Sequence, residues 1–387
     1  MKMITTSGEV QSRAAVCRIC FQPDTSNREE LILNLYPGER FQSFLGFGGA
    51  VTDSAAYVYS TLSPELRAEV IAACFGSDGL GYTLARSHID SCDFSLESYC
   101  ADPAEEDAEL RRFSIERPGK YVFPMLDDIV KIRPELRLML SPWSPPEYMK
   151  DNAKRTGGGK LRPEFRERWA RYMCRYALEY RKRGYDVFAM SVQNEPNAVQ
   201  PWESCIYTPE EERDFLRDFL APELRRQGLG DMVITIWDHN KERAFERASA
   251  ILDETTRPMV AGVACHWYSG DHFENLDMIR SAYPELKLIL SESCVGFLRP
   301  DDAQAHAAGA VQLSHEILGD LAHGATAFYD WNLLLDERGG PNHVGNFCHA
   351  PYLFDTKAKE LRPQLLLQYY YQFAHFIQPG SVRVMLS

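Results

Sequence analysis

The sequence predicts an α/β protein built as a closed (β/α)8 barrel. Short apolar or β-branched runs alternate with longer amphipathic stretches along most of the chain. Eight such runs can be counted between residues 44 and 331, which suits a ring better than an open doubly wound sheet. No GxGxxG or GxxxxGK[ST] follows any of them, so the nucleotide-binding fingerprint of an open sheet is missing.

In order, residues 1–40 are irregular, with short strands expected at Ala14–Cys20 and Glu30–Leu35. The first barrel strand is expected at Phe44–Gly49, followed by a helix entered at Ser63-Pro64, an N-cap and first-turn pair. Gly81–Ser87 is the second strand, with a polar loop and a helix over Pro124–Ile132 behind it. Leu136–Ser141 is the third. Its helix, Pro163–Lys182, repeats Phe165, Trp169, Tyr172, Met173, Tyr176 and Ala177 at helical spacing, the mark of a core-facing stripe rather than a ligand box. The fourth strand, Tyr185–Met190, runs into Glu195, and Thr208-Pro209-Glu210-Glu211 then forms a capping box. Met232–Trp237, Val260–His266, Leu286–Glu292 and Ala325–Trp331 complete the ring, and a last helix over Gln364–Ile377 is apolar nearly all round.

The 387 residues are 45% apolar, ample for a core, and the net charge of −13 argues against a nucleic-acid partner. Aromatic residues make up 12% and include six Trp, a composition that leans toward flat apolar ligands such as sugar rings. Ten cysteines are scattered, several in apolar runs, and read as reduced thiols. Cys17 and Cys20 form a lone CxxC without a second pair, and His266 has no histidine partner at ligand spacing, so no metal is expected. Met1–Arg13 lacks the apolar segment of a signal peptide, and no run reaches the roughly 18 apolar residues of a membrane span. A soluble, cytoplasmic protein without a cofactor is the expectation.

In barrel enzymes the chemistry sits at the C-terminal ends of the strands. Those ends carry Gly49 and Asp53, Arg86 and Asp93, Trp143, Asn194 and Glu195, Trp237 and Asp238, His266 and Tyr268, Glu292, and Trp331 with Asn346 beyond it. Carboxylates, amides and a guanidinium suit hydroxyls, and indole faces suit the apolar side of a sugar ring. Glycoside hydrolysis needs two carboxyl groups flanking one bond, one protonated and one ionised. Glu195 and Glu292, on the fourth and seventh strands, supply such a pair. Their placement across the mouth is compatible with the about 5–5.5 Å spacing of retaining enzymes. Arg86 is equally suited to clamping the carboxylates and to touching substrate, and Asp53 could cap the next turn.

The stretches Gly46-Phe47-Gly48-Gly49-Ala50-Val51-Thr52-Asp53, Ser91-Cys92-Asp93-Phe94-Ser95, Ser141-Pro142-Trp143-Ser144-Pro145-Pro146, Gln193-Asn194-Glu195-Pro196, His266-Trp267-Tyr268, Ser291-Glu292-Ser293-Cys294 and Asp330-Trp331-Asn332-Leu333 occur in this order. Together they resemble glycoside hydrolase family 30, in its glucosylceramidase-like branch. The resemblance implies two-step, retaining cleavage of a β-glucosidic bond, with Glu292 as nucleophile and Glu195 as general acid and base. It implies that Asp93, Trp143, Asn194, Trp331 and Asn346 hold a glucose ring, and that Arg86, His266 and Tyr268 orient and polarise the nucleophile. It also implies a β-sandwich beside the barrel. The expected division is therefore an N-terminal sandwich remnant at 1–40, a barrel at 41–380, and the truncated start of a C-terminal sandwich segment at 381–387. Unpartnered strands in residues 1–40 would leave an open edge, so self-association is expected. Phe328 stands where a Trp is expected in the closest relatives, at the pocket rim. Within the family, β-xylosidase, β-fucosidase and β-1,6-glucan specificities stay open, as does a catalytically impaired carbohydrate-binding relative.

Overall fold

The structure, a computed structural model, describes residues 2–5, 15–18, 20, 33–299 and 301–387. Eight parallel strands close into a barrel: β1 (Gly46–Ala50), β2 (Leu84–Ile89), β3 (Arg137–Pro142), β4 (Asp186–Ser191), β5 (Val233–Asn240), β6 (Gly262–His266), β7 (Lys287–Glu292) and β8 (Ala325–Asp330). Each strand pairs with the next, and β8 closes on β1 with Ala327 opposite Gly46 and Asp330 opposite Gly49. On β1, a Cβ at Gly48 would stand 2.3 Å from the Leu84 carbonyl oxygen, so only glycine admits this approach to β2.

The barrel axis is filled by Leu84, Met139, Phe188, Ala189, Ala264, Ile289, Ala327 and Tyr329. Strand alternation then decides what lies above them. Two residues beyond Leu84, Met139 and Ile289 come Arg86, Ser141 and Ser291, all fully buried on the same inward face. A polar layer thus caps an apolar one. Outside the strands, helix Arg166–Lys182 turns Trp169, Tyr172, Met173, Tyr176 and Ala177 into the main core, as its spacing foretold, and Tyr180 joins them.

The caps read from sequence are in place. Ser63 accepts from the Leu66 amide with Pro64 in the first turn, and Thr208 and Glu211 form a reciprocal box. The helix that follows, from Pro209, passes through a π-turn at Leu216–Leu220 just before Pro222, which has no N–H to donate. The last helix is shorter than expected, Leu365–Ala374, and buries Leu365, Leu366, Tyr370 and Ala374.

Among the described residues, a three-stranded sheet (Leu334–Asp336, Tyr352–Asp355 and Glu360–Pro363) and two antiparallel strand pairs lie outside the barrel. Ala15–Arg18 pairs with Lys2–Thr5; positions 14 and 19 of that expected strand lie outside the described residues. Of the strand expected at 30–35, residues 30–32 likewise lie outside them. A longer strand, Leu35–Ser43, runs antiparallel to Val382–Leu386. No helix among the described residues is long and apolar enough to cross a membrane.

Directly after β5, Lys241 is fully buried and donates to Glu316 at 2.6 Å and Asp320 at 3.1 Å, both on helix Ala303–Ala322. This ties the rim of β5 to the outer helical layer. Lys241→Met would leave two buried carboxylates without a counter-charge, and a loss of about 3–5 kcal/mol is expected. Urea unfolding measures it; an unchanged midpoint would refute the assignment.

Candidate active site

The rim of the barrel is organised on Arg86. Its guanidinium is fully buried and reaches Glu292 at 2.5 Å, Asp238 at 2.9 Å and the Asn194 side-chain oxygen at 2.8 Å. Asp238 in turn accepts from Ser141 at 3.1 Å and from Ser291 at 2.5 Å. Burial alone would raise the Asp238 carboxyl, but the Arg86 charge and the bonds from His266 and Ser291 hold it well below the usual carboxylate range. His266 is also fully buried. Its Nε2 lies 3.1 Å from Asp238 and its Nδ1 3.2 Å from Glu195. Burial opposes charge on this ring, yet the Glu292 charge and the bonds to Asp238 and Glu195 raise its pKa to about 9. Glu195 moves the other way. Burial raises it, but the hydrogen bond and charge of His266 outweigh burial and bring it below the ordinary value. The proton of the Glu195–His266 pair therefore rests on the imidazole.

Glu195 follows β4 in the left-handed region, with φ of 46°, and Asp238 on β5 does the same with φ of 47°. The two are locked together, because the Glu195 N–H donates to the Asp238 carbonyl at 2.9 Å. Non-glycine residues in this region cost of order 1–3 kcal/mol each, and such strain clusters at working sites. Glu292, at the end of β7, accepts from Tyr268 at 2.9 Å as well as from Arg86.

Above this layer opens a cavity of about 360 Å³ whose walls include Asp93, Glu195, Trp202, His239, Tyr268, Glu292, Trp331, Asn346 and Phe347. Trp143 and Trp331 stack with centroids 5.3 Å apart, and the Arg86 guanidinium sits 4.9 Å from the Trp143 ring. Asn346 donates to Asp93 at 2.9 Å. Burial, with Glu292 close by, pushes the Asp93 carboxyl up to about 8, so it is held protonated at neutral pH.

Most residues read from the strand ends converge here. Asp93, Glu195, Tyr268, Glu292, Trp331 and Asn346 face the cavity. Arg86, Trp143, Asn194 and His266 are buried and do not line it. Arg86 clamps carboxylates rather than facing the cavity, and His266 hydrogen-bonds Glu195 and Asp238 rather than Glu292. Three expectations change. Trp237 is buried and packs against Arg247, because the register of β5 shifts between Trp237 and His239. Asp53 does not cap its helix, a task taken by Thr52; it binds Arg117 and the Leu96 amide. Phe328 is not on the rim: it lies in the core beside Phe47 and Tyr370. Sequence reasoning missed Gln200, Trp202, His239, Asn240, Phe347 and Cys348 in the cavity wall. The one local signal was Trp202, an indole in a polar loop just beyond Glu195.

Paired carboxylates on the carboxyl-terminal rim of a (β/α)8 barrel, beside stacked indoles, define a glycoside hydrolase. The chain matches the TIM-barrel domain of glycosyl hydrolase family 30 over residues 44–378, and it belongs to that family. It is 32% identical over 373 residues to the lysosomal acid glucosylceramidase of Mus musculus, covering 92% of this chain and 72% of that protein. Among solved structures, SrfJ from Salmonella typhimurium superposes with a TM-score of 0.96 at 37% identity, over 100% of this chain and 86% of SrfJ. The endo-β1,6-glucanase BT3312 superposes with a TM-score of 0.89 at 25% identity, again over 100% and 86% of the two chains.

The charge on His266 has a consequence for stability. Its folded value of about 9 lies above its ordinary 6.5. The stabilisation is therefore complete below pH 6.5 and lost as pH rises through 9. Relative to His266→Gln, the wild type is expected to lose on the order of 3 kcal/mol across that window. Urea unfolding of both proteins at several pH values tests this; a pH-independent difference would contradict it.

Proposed function

We propose that the chain is a retaining β-glucosidase in which Glu292 attacks the anomeric carbon and Glu195 handles the proton. One observation carries this reading: two glutamates line one cavity but are held by different partners. Glu292 accepts hydrogen bonds from Arg86 and Tyr268, which hold and aim its carboxylate oxygens. Glu195 faces the His266 ring, which carries the proton to be delivered.

In the first step Glu292 forms an ester with the anomeric carbon as the glycosidic C–O bond breaks. The proton passes from His266 Nδ1 to Glu195, and Glu195 protonates the departing oxygen. In the second step water attacks that carbon, Glu195 takes the water's proton, and the ester opens to release the sugar with its β configuration. Protonated Asp93 donates to a sugar hydroxyl, with Asn346 bonded to its other oxygen. Trp331, backed by the stacked Trp143 ring, offers an apolar wall to the sugar. Every step uses side chains already in place and calls for no cofactor.

Two leaving groups suit relatives of this chain, a ceramide and a second glucose. The cavity wall favours the sugar: it contains no Leu, Ile, Val or Met, and it adds Gln200, Trp202 and Asn240 to the pocket beyond the two glutamates. The likeness to the endo-β1,6-glucanase BT3312 supports the same choice, a β-1,6-linked glucan.

Glu292→Gln should abolish turnover of an aryl β-glucoside; retained activity would remove Glu292 from the nucleophile's role. Glu195→Ala should lose about 10²–10⁴-fold on substrates with a poor leaving group, and azide should rescue it with a β-glycosyl azide as product. An α-azide would refute retention. Side-by-side assays on glucosylceramide and a β-1,6-glucan decide the leaving group, and faster release of glucose from the lipid would reverse our choice.

A further inference from the structure

We propose that Glu195, His239 and His266 form a binding site for a zinc-class divalent transition metal, and that an ion held there blocks hydrolysis. The blocking half rests on the role given to Glu195; the binding half does not. In sequence these residues are far apart, and no local spacing announces them. The fold gathers them from the ends of β4, β5 and β6.

The geometry suits a small tetrahedral ion. Glu195 Oε1 lies 3.2 Å from His266 Nδ1 and 3.6 Å from His239 Nδ1. One donor atom from each residue falls within 4.8 Å of the others. Zinc–ligand bonds of about 2.0–2.1 Å at tetrahedral angles separate neighbouring donors by about 3.3–3.4 Å. The two separations from Glu195 already lie near that value, and the two imidazole donors, within 4.8 Å of each other, close on an ion by side-chain rotation.

Three further observations point the same way. His239 Nδ1 is buried and makes no hydrogen bond, so a donor atom stands unused beside the carboxylate. On its far side, His266 meets Asp238 at 3.1 Å, and Asp238 is itself fixed by Arg86 and Ser291. A carboxylate behind an imidazole is the arrangement that orients histidine ligands in zinc sites. Finally, Glu195 and His239 both face the cavity, which leaves an entry path and an open fourth position for water.

Two imidazoles and one carboxylate are ligands for zinc or copper rather than for magnesium or calcium, which require several oxygens. The ion takes the place of the proton held between His266 and Glu195, and that proton leaves to solvent. With its oxygen bound to metal, Glu195 can neither donate a proton to the leaving group nor accept one from water.

The test is calorimetric titration of zinc chloride into the metal-free, reduced full chain. One bound ion per chain is expected, with no comparable heat from magnesium. His239→Ala should weaken binding about 100-fold or more, since even outer partners of zinc ligands are worth 10–100-fold. His239→Asn serves as the second variant, with circular dichroism reporting that each is folded. Because Cys294 and Cys348 also line the cavity, the double variant C294S/C348S is titrated in parallel and should bind like wild type. Cobalt added in place of zinc should give visible d–d bands without thiolate charge transfer. In the same preparation, zinc should inhibit aryl β-glucoside hydrolysis and EDTA should restore it. The binding proposal is overturned if wild type takes up no zinc, if folded His239 variants bind like wild type, or if the cysteine variant loses binding. Binding without inhibition overturns the blocking half alone. Hydrolysis by the metal-free sample reports separately on the glucosidase reading.

Discussion

A buried guanidinium has to be answered by charge, and that requirement organises the top of this barrel. Arg86 reaches two carboxylates and an amide oxygen where strand alternation points it inward. Taking an arginine and two acids out of water costs several kcal/mol per ion unless each is met by close partners. Here the partners come from β2, β3, β4, β5, β6 and β7. The cost can be recovered only when all of these strands end at the right height. The arrangement therefore reports on the register of most of the ring, and it holds the site's geometry before any sugar enters.

The same network gives the two glutamates different surroundings. Glu292 touches the positive end of it directly. Glu195 is reached through Asp238 and His266, so it feels a proton that the rest of the network has stabilised. Identical side chains are thus held by different neighbours. The left-handed backbone at Glu195 and Asp238 belongs to this arrangement, since one hydrogen bond between their main chains fixes both residues relative to the imidazole between them.

Much of this was legible in the sequence. Short apolar or β-branched runs located the strands within a few residues, and the rule that barrel sites lie at strand ends selected Arg86, Asn194, Glu195, His266, Glu292 and Trp331 without knowledge of the loops. Asp238 was visible at a strand end, but its place at the hub was not, because hubs are defined by distances. His239 was hidden for a different reason. Strict alternation fails in β5, where the register shift between Trp237 and His239 breaks the expected order of inward and outward side chains. Trp202, Phe347 and Cys348 arrive on loops whose paths no periodicity encodes. Phe328 misled because a substitution noted by its position in a motif was credited to the pocket, whereas its side chain faces the helices outside the barrel.

The glycines of β1 have a bearing on biosynthesis. β1 finds its last partner only in β8, so on the ribosome it waits for roughly 275 further residues. At about 5–20 residues per second that is on the order of 15–55 s with one edge unpaired. An apolar strand left waiting is a template for aggregation. Three of the five residues of Gly46-Phe47-Gly48-Gly49-Ala50 are glycine, and glycine-rich segments make poor steric zippers. The residue that lets β1 approach β2 closely in the finished ring also helps keep the nascent chain from pairing with a stranger.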